Sequence, residues 1–109
     1  MESHGDFPII LVKIKDVNDA FTIKKLVRAI EYYYHKKIKI DLVILNEEEN
    51  SYEQYVNERI YEVIGEENAN YLINQNGGIH IIKESLMTKD EENLIYSCSD
   101  MIIEAKEGI

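Results

Sequence analysis

The chain has 109 residues and a mass of 12.8 kDa, with 45% apolar and 30% charged residues, a globular composition with room for one domain. Lys and Arg number 12 against 21 Asp and Glu, and the formal net charge of −9 speaks against a nucleic-acid or anionic-membrane binder, since both need phosphate-neutralising charge. One cysteine, Cys98, excludes an internal disulfide; no apolar run approaches the roughly 18–20 residues that span a bilayer; and Met1-Glu2-Ser3-His4-Gly5-Asp6 has neither the basic flank nor the apolar stretch of a signal peptide, so a reduced, cytoplasmic setting is expected.

Ile9-Ile10-Leu11-Val12-Lys13-Ile14 is nearly continuous, β-branched and preceded by Pro8, which predicts a strand buried on both faces. Asn18 or Asp19 is then placed to cap a helix. Ile23, Leu26, Val27, Ile30, Tyr33 and Tyr34 recur at helical spacing, and Lys36 and Lys37 suit the negative end of its dipole. Ile40 to Leu45 reads as a second strand. Ser51 with Gln54 has the spacing of a capping box, and Tyr52, Val56, Ile60, Val63 and Ile64 line one face of a second helix that Gly65 would end. Residues 66–76 are polar apart from Ala69 and Tyr71-Leu72-Ile73, which suggest a short helical turn. Gly77-Gly78 breaks the chain before the alternating strand Ile79–Lys83. Thr88 and Glu91 repeat the capping box, Leu94, Ile95 and Cys98 mark a third helix, and Met101-Ile102-Ile103 a last strand.

The order βαβαβαβ implies parallel pairing through crossovers, hence an α/β, three-layer, Rossmann-like domain with a four-stranded parallel sheet. The first two strands are the most apolar and belong in the centre, which favours the order 3-2-1-4 over the alternative 2-1-3-4. Residues 1–109 then form a single α/β domain.

Ligands of open parallel sheets bind beyond the carboxyl ends of the strands. Here those ends are Lys15-Asp16-Val17-Asn18, Asn46-Glu47-Glu48, Glu84-Ser85 and Glu104. No glycine lies between Ile9 and Gly65, so the first turn has neither a glycine-rich dinucleotide fingerprint nor a P-loop. Asp16, Asn18, Asn46 and Glu47 are the candidate ligand rim. Asp16, Asp19, Glu47 and Glu48 are of a type that holds hard cations, but solvated loops and helix starts favour the same residues. His4, His35 and His80 have no metal-ligand spacing, and Cys98 shares a helical face with Leu94 and Ile95, as a buried small apolar residue would. No catalytic, cofactor-binding or metal-binding residue is therefore expected, and no cofactor.

Charge is uneven. Residues 1–40 hold 8 of the 12 bases against 5 acids, a net of +3, and the rest of the chain 4 against 16, a net of −12. The first helix carries Lys24, Lys25, Arg28, Lys36 and Lys37, followed by Tyr32-Tyr33-Tyr34. Tyr33 and Tyr34 fall on the apolar stripe, which leaves Tyr32, with Lys25 and Arg28, as a candidate docking surface.

Several of these segments resemble a stretch of the cyclic β-1,2-glucan synthases: Gly5 to Ile14, Leu26 to Tyr33, Ile40 to Glu47 followed by Ser51-Tyr52, and Asn76-Gly77-Gly78-Ile79. The most specific element is Asp41-Leu42-Val43-Ile44-Leu45-Asn46-Glu47 with Ser51-Tyr52, and the similarity runs from about Gly5 to the end. The resemblance implies a parent that is very large, multidomain and membrane-associated, uses UDP-glucose, and carries a C-terminal region like cellobiose phosphorylases. The matching stretch lies in that region, and no catalytic residue of the family falls on a motif present here. The expectation is a non-catalytic accessory module of a glucan-synthesising glycosyltransferase. Its partners would be other domains of the same parent, with a weak homodimer in isolation, and neither nucleic acid nor direct membrane insertion. The alternative is a free-standing binding or regulatory domain that uses the carboxyl-end rim.

Overall fold

The computed structural model describes residues 7–49 and 54–106. In chain order they form β1 (Ile9–Ile14), α1 (Ala20–His35), β2 (Asp41–Asn46), α2 (Tyr55–Glu66), β3 (Ile79–Lys83), α3 (Lys89–Cys98) and β4 (Met101–Glu104), with 3-10 turns at Val17–Asp19, Asn70–Leu72 and Glu84–Leu86. The sheet order is β3-β2-β1-β4, and all three strand pairs are parallel. This is the 3-2-1-4 arrangement; the order 2-1-3-4 is not adopted. The register aligns Leu11 with Val43 and Ile102, and Ile44 with Ile81.

Side-chain alternation divides the strands between two unequal layers. Val12, Ile14, Leu42, Ile44 and Ile79 face α1 and α2, where Ile23, Val27, Ile30, Val56, Ile60, Val63 and Ile64 complete a large core. Leu11, Val43 and Leu45 face the opposite way, where α3 supplies only the partly buried Ile95 and Tyr96 and the preceding turn supplies Met87. The chain reverses its direction across the sheet between β3 and β4, so right-handed crossovers send α3 alone to the second face.

Helix ends depart from the sequence reading. Asp19 occupies the N-cap position of α1, but its side chain makes no capping hydrogen bond. Asp16 instead accepts from the Asn18 N–H at 2.8 Å and starts the 3-10 turn ahead of the helix. Gln54 is not the third residue of a capping box but the residue before α2, in a left-handed conformation (φ 55°); Ser51 and Tyr52 lie outside the described residues, as does His4. The start of α2 is served by Glu48, whose Oε1 accepts from the Val56 N–H at 3.2 Å, a carboxylate at the positive helix end. The Thr88–Glu91 capping box is formed in both directions, at 3.1 and 2.9 Å.

Gly65 does not end α2. The helix runs past it to Glu66, and Asn68 takes the left-handed position (φ 56°), with its N–H bonded to the Gly65 carbonyl and the Ala69 N–H to that of Ile64. α1 ends in the same reciprocal pattern around Lys37 (φ 66°), through Lys37 N–H to Tyr34 and Ile38 N–H to Tyr33. A lysine in this conformation carries a Cβ penalty that glycine escapes. Lys37→Gly is therefore expected to raise stability by about 0.5–1 kcal/mol, read as a higher urea midpoint at unchanged slope.

Three apolar positions are less buried than periodicity predicts. Tyr33 is 38% exposed and leaves the stripe. The 3-10 turn at Asn70–Leu72 packs on the other flank of α1, where the Tyr34 and Tyr71 rings meet edge to face at 5.9 Å. Leu94 is 63% exposed and Cys98 is also exposed, not buried. Both sit on the solitary helix of the thin face, which has no neighbour to cover its flank.

Candidate functional site

The thin face and the carboxyl end of the sheet meet beside α3, and the principal charge cluster lies there. Lys13 is the one charged residue in β1, and period-two alternation sends it to the same side as Ile9 and Leu11. Its Nζ lies 3.9 Å from Glu47 Oε2 and 3.8 Å from Glu104 Oε2, and 5.4 Å from the centre of the Tyr96 ring. Glu104 is Lys13's register partner on β4, so the lysine stands at the point where strand order reverses, the usual ligand position in open parallel sheets. Burial pulls the Lys13 ammonium down, but Glu47, Tyr96 and Glu104 outweigh it and hold its pKa above the usual value.

Glu84 and Glu92 complete the cluster. The hydrogen bond with Glu92, burial, and the charge of Glu47 push the Glu84 carboxyl up to about 7. Glu47 and Glu104 thus flank the lysine, and Glu84 faces it through space with Glu92 beyond. Among the described residues no group of His, Cys, Asp and Glu is arranged to hold a metal ion.

Of the four predicted rim residues, Asp16 and Asn18 bond to each other, and Asn46 and Glu47 lie at the end of β2 and just after it. Asp16 is engaged with the Asn18 backbone. Asn46 is buried, and its Oδ1 accepts from the Glu48 N–H at 2.9 Å, which shapes the loop after β2. Glu47 alone reaches the cluster. Sequence reasoning missed Lys13, Glu92 and Tyr96 there, although a single lysine inside an apolar strand was a usable signal. Glu84 and Glu104 were placed at strand ends without a role.

Beside the cluster an open apolar groove of about 710 Å³ runs between β3 and α3, lined by Ile9, Ile82, Met87, Leu94, Ile95 and Cys98 among others. It is the uncovered part of the thin face.

The predicted docking residues lie on α1, away from this groove. Phe21, Lys25, Arg28 and Tyr32 form an exposed stripe at helical spacing. Lys25 sits 5.3 Å over the Phe21 ring and Lys36 5.5 Å over that of Tyr32. Arg28 makes a two-pronged contact with Glu67 at 3.0 and 3.1 Å, and Lys24 pairs with Glu66 at 3.2 Å. Lys24 and Arg28 are thus paired with the C-terminal end of α2, and the Glu66 and Glu67 carboxyls are held below the usual carboxylate range by these partners. At the far end of α1, Tyr71 donates to Glu31 at 2.8 Å and lies 3.0 Å from His35. Burial first, then the Glu31 carboxylate, pushes the Tyr71 phenol up to about 12.

Fold and site together describe a small open parallel α/β domain without a glycine-rich phosphate turn, with an acidic cluster at its switch point and one thin face. The chain is 29% identical over 107 residues to the cyclic beta-(1,2)-glucan synthase NdvB of Rhizobium meliloti (strain 1021). That similarity takes in 95% of this chain but 4% of the synthase, so the chain corresponds to a short segment of a far longer protein. No protein-family profile and no solved structure matches it. Among the described residues no helix is long and apolar enough to cross a membrane.

Proposed function

We propose that this chain is a non-catalytic accessory module of a large glucan-synthesising enzyme of glycosyltransferase and phosphorylase-like character, docking between its domains. The observation that carries the reading is the near end-to-end similarity to one short segment of a glucan synthase. The docking role is supported by the thin face, where three buried strand residues lie under a single helix and an apolar groove stays open beside them. A sheet this apolar is ordinarily covered on both faces. In this reading the module sits on the cytoplasmic side of a membrane-associated parent, and the groove receives a neighbouring domain rather than glucan. The carboxylates serve the local fold.

The expected result is no turnover of UDP-glucose, glucose 1-phosphate or β-1,2-glucan by the isolated chain, together with weak, concentration-dependent self-association in sedimentation equilibrium. Leu94→Glu, at an exposed groove position, should abolish that association and leave the fold intact. Activity that disappears on Glu47→Gln would make the carboxyl rim an active site and overturn the reading. A strict monomer at high concentration would remove the docking role.

A further inference from the structure

β3 is an edge strand, and its pairing with β2 fixes which of its peptide groups point away from the sheet. The Gly78 carbonyl accepts from the Leu42 N–H at 2.8 Å, and the parallel register runs from Leu42 with Ile79 to Asn46 with Lys83. Gly78, His80 and Ile82 therefore turn their peptide groups toward β2, whereas Ile79, Ile81 and Lys83 turn theirs outward. At Ile79 the outer side is taken, since Ile73 bridges to it and the Asn74 N–H donates to its carbonyl at 2.8 Å. Among the described residues no strand or bridge pairs with the edge beyond it, at Ile81 and Lys83. This stretch also borders the open apolar groove, to which Ile81, Ile82 and Lys83 contribute beside Leu94. Unpaired edge groups of this kind template the addition of another strand.

We infer that the outer edge of β3 at Ile81–Lys83 is a strand-addition site for a second copy of the chain, whose own β3 pairs antiparallel with it about a two-fold axis. The proposal rests on the docking reading above and specifies the contact that makes the self-association. Residues opposite each other in an antiparallel pair share a face, so the two grooves come side by side on the thin face.

A second copy is the occupant because self-pairing leaves one register, and that register is complementary. Outward peptide groups must meet outward ones. Lys83 opposite Lys83 would set like charges together, which destabilises a strand pair. Ile81 opposite Ile81 would bring Lys83 against Ile79, whose outer side is closed. Ile81 opposite Lys83 meets neither obstacle. Their peptide groups then exchange hydrogen bonds on both sides of the axis, and Ile82, a residue of the thin-face cluster, meets its own copy on the axis. One step further along that face, His80, whose Nε2 lies 3.0 Å from Asp41 Oδ1, comes opposite Glu84 of the other copy, a basic group against an acid.

Amide exchange by NMR on the whole chain at rising concentration tests this. The Ile81 and Lys83 amides should slow about fourfold between about 0.02 and 2 mM, the loss of free monomer for a dissociation constant of about 0.2 mM. The His80 and Ile82 amides, already turned to β2, should not change, an alternation that groove side chains alone would not produce. In a mixture of labelled and unlabelled chains, a nuclear Overhauser contact should join the Ile82 Hα atoms of the two copies. Lys83→Pro removes one outward N–H without touching the β2–β3 ladder and should abolish association. Lys83→Ala, which loses the side-chain bond to Gln54 but keeps that N–H, should retain it. Association with unchanged Ile81 and Lys83 amides overturns strand addition and leaves groove docking standing. Protection without the Ile82 contact overturns the register, and a monomer at every concentration overturns strand addition and docking together. Should Lys83→Pro fail to fold, the amide pattern and the Ile82 contact of the native chain decide.

Discussion

Gly78→Ala is expected to destabilise the chain by about 3 kcal/mol or more, at the upper end of overpacking effects. A Cβ on Gly78 would lie 2.3 Å from the Leu72 carbonyl oxygen and 2.9 Å from that of Gln75. Both obstacles are backbone, and Leu72 is fully buried, so the turn beneath cannot retreat without opening the core. The Gly78 carbonyl also accepts from the Leu42 N–H at 2.8 Å, which starts the β2–β3 ladder. Asp41 grips the same turn, with Oδ1 accepting from the Gly77 N–H at 2.8 Å and the Gly78 N–H at 3.3 Å and lying 3.0 Å from His80 Nε2. The three glycines with described surroundings should separate by mechanism. Gly77→Ala meets Lys39 Cβ at 2.7 Å at a φ of 72°, and the left-handed conformation alone should cost about 1–2 kcal/mol. Gly65 lies within α2 with its nearest contact at an ordinary 3.7 Å, so Gly65→Ala should stabilise by roughly 0.5–1 kcal/mol through helix propensity. Urea unfolding of the three variants supplies the ranking. A Gly78→Ala midpoint close to that of the native chain would show that the turn can shift as a unit.

Val43→Asp is expected to abolish cooperative folding. Val43 is 6% exposed in a central strand, paired in register with Leu11 and His80, and packed in the smaller apolar cluster. An uncompensated carboxylate buried there costs several kcal/mol before any packing is lost, a large share of the roughly 5–15 kcal/mol that holds a domain together. Val43→Ala separates charge from volume, and it should retain a two-state transition at a cost of about 1–3 kcal/mol. Dispersed amide NMR spectra and a sigmoidal urea curve for Val43→Asp would mean that the thin face admits water down to the strand. That result would also weaken the case for a docked partner over it.

The sequence carried the sheet order because burial leaves a local trace. Ile9–Ile14 and Ile40–Leu45 lack the alternation of Ile79–Lys83, and strands that are apolar on both sides occupy the centre, as they do here. Helix ends were less legible. Several residue types can adopt a left-handed turn or offer a capping oxygen, so Asn68 and Lys37 hold positions for which glycine is the statistical choice, and the side-chain cap is made by Asp16 on the 3-10 turn ahead of α1 rather than by Asp19 on the helix itself. The burial of Cys98, Leu94 and Tyr33 was misjudged for one reason. Periodicity reports which face of a helix points inward, but not whether anything lies beyond the flank of that face.

By itself, then, the sequence determined the α/β class, the parallel order β3-β2-β1-β4, the presence of all three helices and the Thr88–Glu91 cap. Each of these depends on residues a few positions apart. The cluster around Lys13 was decided only by the tertiary structure. Strand register sets Glu104 beside Lys13, the loop after β2 brings Glu47 to it, and the reversal between β3 and β4 lays α3, with Glu92 and Tyr96, over the same corner. Convergence of residues from five separate segments has no local periodicity to record it, because it is set by the packing of the whole sheet.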